Sequence, residues 1–137
     1  MQKLAGFALA TIALHAAVAL VHGSAHVHLG IGLSHWQYTY VMAVIVVAPL
    51  LAGILLLARQ AGAGGILLAV SMVGALLFGA YYHFVAGGAD NIASVAASGW
   101  GAVFRWTSVL LALTEAVGVW AGLHALHARS RTTVAHS

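Results

Sequence analysis

The sequence predicts an all-α integral membrane protein, a four-transmembrane-helix bundle with both termini in the cytoplasm. Three observations carry that expectation. Hydrophobic residues fill 63% of the 137 positions and charged residues only 5%, against about 25% charged in ordinary soluble domains, so the surface is unsuited to water. Four apolar stretches, at 4–21, 40–58, 65–85 and 103–128, match the roughly 20 residues that a helix needs to cross a bilayer. Basic residues are also unevenly shared: Lys3, Arg59, Arg129 and Arg131 fall at the end that holds both termini, and only Arg105 at the other. The positive-inside bias turns the basic end toward the cytoplasm.

The four helices are expected at about 4–28, 36–59, 65–85 and 103–128, in a single membrane domain spanning 1–137. The chain leaves no room for an additional soluble domain, which needs at least about 50 residues. Lys3 ahead of an apolar run, with Gly23, Ser24 and Ala25 behind it, has the outline of a cleaved signal, but His15 in the middle of that run is a poor fit to a signal core. Gly30, Gly32 and Ser34 close the first connection. Trp36, Tyr38 and Tyr40 at the entrance of the second helix, with Tyr81, Tyr82, Trp100 and Trp106 at the same level, form an outer aromatic belt. Pro49 kinks the second helix and frees the carbonyl of Ile45, which then needs a partner from a neighbouring helix or water.

Gln60 with Gly62, Gly64 and Gly65 reads as a tight second turn. In the longer third connection Asp90 is placed to cap a short turn over 91–97. Gly74 and Gly79 lighten the third helix, and Gly118 and Gly122 make a small-xxx-small pair on the fourth, so that backbones can approach where no hydrophobic effect drives association.

There is no cysteine, which excludes disulfides, thiolate metal sites, iron–sulfur clusters and covalent c-type haem. The five Lys and Arg are too few and too scattered for a nucleic-acid surface. No Ser/His/Asp arrangement, P-loop or dinucleotide fingerprint is present. Histidine is what remains, and there are nine. Ionisable groups inside a membrane are expensive to keep and tend to mark sites.

At about 100° per residue, His15, His22 and His26 form one stripe on the first helix. His22 and His26 lie toward the outer surface, and His83 ends the third helix at that same level, so these three are the candidate ligands of a cofactor or metal, with His28 in reserve at the helix end. His15 lies near mid-membrane, level with Glu115, about 15 Å down the fourth helix from Arg105. The two form a separate polar pair, suited to a hydrogen bond between helices or to a proton relay. His124 and His127 sit at the cytoplasmic end of the fourth helix, where its dipole favours cations. His35 reads as interfacial and His136 as a tail residue.

Three chemistries fit. One is electron transfer by b-type haem between His83 and either His22 or His26, with Ala16, Ala19 and Gly79 admitting a flat macrocycle. The second is a copper, zinc or iron site, to which Asp90 or Glu115 could add a carboxylate, and from which Met72 could extend a copper path inward if it were more than core filler. The third is a non-catalytic accessory subunit whose histidines bond neighbouring helices. The expected surroundings are the lipid bilayer of the cell membrane, with other membrane subunits or a second copy as partners.

Overall fold

In the computed structural model the backbone is described for residues 2–134 and the side chains for 5–127. His136 and the side chains of Lys3, Arg129 and Arg131 lie outside those limits. Four helices are each long and apolar enough to cross a membrane, and no strand occurs among the described residues. The first helix covers Gln2–Leu29. The second runs over His35–Leu57 and the third over Ala61–Val85, and the fourth is Gly99–Val134.

The ends of these helices follow from local chemistry. Gly30 adopts φ 67°, a left-handed conformation open to glycine, and the chain closes a Schellman turn in which Ile31 N–H donates to the His26 carbonyl at 3.0 Å and Gly30 N–H to that of Val27 at 3.2 Å. Ser34 starts the second helix in a capping box: its backbone N–H donates to Gln37 Oε1 at 2.8 Å, and its hydroxyl accepts from Gln37 N–H at 3.5 Å.

The second connection differs from the expected glycine turn. The chain reverses over Ala58, Arg59 and Gln60, with Arg59 at φ 61°, and the third helix already begins at Ala61. Gly62, Gly64 and Gly65 are therefore inside the helix and buried. Their work is packing. A Cβ on Gly65 would lie 2.7 Å from the Gly122 carbonyl, and one on Gly122 would lie 2.6 Å from Ala69 N, so the third and fourth helices touch backbone to backbone. Around this crossing Ala8, Ile12, Ala52, Leu56, Leu68, Met72, Ala121 and Ala125 form the main buried cluster. Met72 packs against Gly118 and is core filler.

Toward the opposite end the first helix stays on the fourth, while its contact with the second is made mainly by the Ala48–Leu57 half. The second and third helices each carry a π-helical stretch in their half nearer that end, over Val41–Val47 and Tyr81–Val85. Such widened turns occur frequently at functional sites. The fourth helix begins at Gly99, four residues earlier than the apolar run implies.

Candidate metal centre and cavity

The histidines of the first helix that share a stripe do not share an environment. His22 and His26 meet His83 in one cluster: a ligand nitrogen of each lies within 4.8 Å of the others. The ring centroids of His22 stand 4.8 Å from those of both His26 and His83. Phe104 of the fourth helix forms the floor, with centroid distances of 4.9, 5.2 and 5.4 Å to His22, His26 and His83. The third-helix π stretch carries His83 into this group, and His83 and His22 are buried.

Hydrogen bonds settle which nitrogen of two rings carries the proton. Thr107 has one hydroxyl proton, and the Val103 carbonyl, at 2.7 Å, takes it. Thr107 Oγ1 therefore accepts from His22 Nδ1–H, at 2.9 Å. His26 Nδ1 faces the Ile31 carbonyl at 3.3 Å, an acceptor only, so this nitrogen also bears hydrogen. The Schellman turn that ends the helix places that carbonyl. In the neutral rings both Nε2 atoms then carry lone pairs, and they face each other at 3.1 Å.

A third acceptor joins them. Asp90 Oδ1 lies 3.3 Å from His26 Nε2 and 3.2 Å from His83 Nδ1, while the His83 Nδ1–H bond goes to the backbone carbonyl of Asp90 at 3.1 Å. Asp90 Oδ1 is buried and meets no well-aligned hydrogen-bond donor among the described residues. Asp90 was expected to cap the following turn. Asn91 does so instead, accepting from Ala93 N–H at 2.9 Å over the short 3₁₀ turn Ile92–Ser94, which leaves the Asp90 side chain free to enter the cluster. Asn91 Nδ2 also donates to the Ala86 carbonyl at 2.8 Å, and Arg105 Nε to that of Ile92 at 2.7 Å, fastening the loop.

His28 is not part of this set. Its ring is exposed and stacks on Trp100 at 3.9 Å, with Nδ1 on the Ser24 carbonyl at 2.8 Å. The helix turns the ring outward, away from the stripe. His124 and His127 are exposed, with Nδ1 on the carbonyls one turn back, at 3.1 and 2.7 Å. His35 is exposed and stands at the cavity edge.

His15 and Glu115 share a cavity but not a bond. His15 Nε2 donates to the Ile45 carbonyl at 3.3 Å, the acceptor that Pro49 leaves without an N–H four residues ahead. Its Nδ1 faces Thr114 Oγ1 at 3.5 Å. The Glu115 carboxyl makes no hydrogen bond with the described residues, although the residue is only 2% exposed. It lies beside Gly79: a Cβ there would stand 3.9 Å from Glu115 Oε2 and 3.7 Å from His83 Cδ2. The cavity has a volume of about 840 Å³ and reaches from the histidine cluster and Asp90 to His15 and Glu115. Ala16, Ala19 and Gly79 are in its wall.

Thr107, Ile31 and Phe104 were not visible as site residues in the sequence. Thr107 and Phe104 follow the entrance of the fourth helix by ordinary helical spacing, and a polar residue one turn from an aromatic is a common pattern. Comparison with protein-family models, with curated proteins and with solved structures returns no match, so the geometry alone carries the functional reading.

Proposed function

We propose that this chain is a multi-pass protein of the cell membrane that binds one divalent transition-metal ion through His22, His26, His83 and Asp90. The carrying observation is the convergence of His22 Nε2, His26 Nε2 and the buried Asp90 Oδ1, 3.1 and 3.3 Å apart, where the neutral rings present two lone pairs to a carboxylate oxygen that meets no well-aligned donor among the described residues. Electron-rich atoms held this close repel one another, and an unpaired buried oxygen costs about 1–3 kcal/mol. A cation among them turns both penalties into bonds. On a tetrahedral zinc with bonds of about 2.0–2.1 Å, neighbouring ligand atoms stand about 3.3 Å apart, close to the His22–His26 and His26–Asp90 contacts, while the three imidazole donors, within 4.8 Å of one another, draw together on the ion.

The arrangement also has the outer support that metal-binding histidines need. Thr107 holds His22 and the Ile31 carbonyl holds His26, each at Nδ1, which fixes tautomer and ring orientation. Imidazole and carboxylate donors without thiolate suit zinc, copper(II) or iron(II). Haem has less support, because the three rings touch one another above Phe104 and His22 occupies the space that a macrocycle would need.

Membrane insertion is supported by the four apolar helices and by large apolar side chains facing outward, among them Leu20, Val27 and Trp106 at 70–79% exposure. With both termini and Arg59 at one end, the positive-inside bias orients that end to the cytoplasm and the histidine cluster to the opposite side. Titration of chelator-treated, detergent-purified protein with Zn²⁺ tests the centre. Saturation at one ion per chain is expected, with affinity lowered at least about tenfold in Asp90→Ala. Absence of a saturable site would remove the proposal.

A further inference from the structure

The metal centre uses one end of the cavity and leaves Glu115 unexplained. The residue is buried, but its carboxyl opens into the cavity and has no hydrogen-bond partner among the described residues. A structural glutamate in a helix bundle would bond a neighbouring helix, because an unpaired polar group there is costly. The cavity is also much larger than water requires: about 840 Å³, within the roughly 300–1,000 Å³ of sites for drug-sized ligands.

Its walls are mostly apolar, with Ala19 and Leu20 on one side and Val41, Val46 and Leu50 on the other. These belong to the first and second helices, whose mutual contact is concentrated in the half near Ala48–Leu57. Leu20, Val27 and Tyr38 line the cavity while remaining 57–79% exposed, so they form lips between the two helices. In the membrane orientation proposed above, on which this step rests, those lips face lipid.

We infer that the cavity binds a membrane-borne amphipathic alcohol, entering between the first and second helices with its hydroxyl on Glu115 and its apolar body along the Ala19 and Val46 walls. A hydroxyl both donates and accepts, so it satisfies the carboxyl whether ionised or neutral. An ammonium head would satisfy only the ionised form, and a plain hydrocarbon would leave Glu115 unpaired. The hydroxyl is the shared chemistry. It can sit on an aromatic ring, as in a quinol, or on an aliphatic chain.

Binding of two matched pairs to the full chain in detergent, measured by native mass spectrometry, tests the site: a long-chain alkylphenol against the corresponding alkylbenzene, and a long-chain alcohol against the corresponding alkane. In the native protein at least one hydroxyl compound should bind about tenfold more tightly than its hydrocarbon, equivalent to one hydrogen bond of about 1.4 kcal/mol. The pair that shows it identifies the aromatic or the aliphatic source. In Glu115→Leu the preference should fall to about one, with the melting temperature kept, since no protein hydrogen bond is lost. In Ala19→Phe all four probes should lose binding through loss of volume.

No hydroxyl preference in either pair, or a preference that survives Glu115→Leu, overturns the assignment. A large fall in the melting temperature of Glu115→Leu also overturns it, because it would reveal a structural partner. Zinc stoichiometry is measured in the same samples: a chain that takes no metal but prefers the alcohol loses the metal reading and keeps this one.

Discussion

The two halves of the bundle are built on opposite principles. Near the termini the third and fourth helices are in backbone contact through Gly65, Ala69 and Gly122, and Ala8, Ala52, Ala121 and Ala125 pack with Leu56, Leu68 and Met72 in the core. Toward the other end the buried apolar cluster shrinks to Ala25, Ile31 and Phe104, and histidines, Asp90, Glu115 and a cavity take its place. The difference assigns separate tasks. Close packing at one end holds the helices in register, which lets the other end carry polar groups and empty volume that would not hold a bundle together alone.

The firmest way to break this comparison is to attack the packed half. Gly65→Leu places a side chain against the Gly122 carbonyl and Leu126 N, both backbone atoms, and should destabilise by about 3 kcal/mol or more, read as a lower midpoint of thermal unfolding in detergent. A loss under about 1 kcal/mol would show that this crossing is not the anchor. Thr107→Val acts on the other half. It removes the acceptor that orients His22 and should weaken metal binding about 10–100-fold in a zinc titration, with a loss of about 1–3 kcal/mol in unfolding from the unpaired His22 Nδ1–H.

Between the halves stands His15. His15→Leu leaves the Ile45 carbonyl without its donor, a loss of about 1–3 kcal/mol. Pro49→Ala supplies a backbone N–H, so in a double-mutant cycle the His15→Leu penalty should be smaller in the Pro49→Ala background; equal penalties would deny the coupling. Gly79→Ala should have the smallest effect, within about 0.5 kcal/mol, because its Cβ would meet His83 and Glu115 only at ordinary contact distances. A larger loss would mean that the cavity half is as tightly packed as the other.

Much of this division can be read from sequence. Spans follow from length and apolarity. The need of the Ile45 carbonyl for a partner follows from Pro49, and the meeting of His22, His26 and His83 from helical spacing and depth. The glycines after Gln60 mislead, because glycine marks a turn in water but a close helix contact in a bundle of this kind. Asp90 misleads for a related reason. A carboxylate ahead of a short turn reads as its cap, but the next residue, Asn91, fills that cap locally by accepting from Ala93 N–H. Spacing also cannot fix ring direction beyond the last turn, which is why His28 stood near the cluster in sequence and stacks on Trp100 in space.

The central claim is that His22, His26, His83 and Asp90 form a metal centre. Elemental analysis of protein purified in detergent without chelator tests it most directly, comparing the native chain with His22→Ala/His26→Ala. One zinc, copper or iron per chain is expected in the native protein and less than about a tenth of that in the double variant, with both chains folded by circular dichroism. Equal metal in the two proteins, or none in either after exposure to all three ions, would contradict the account.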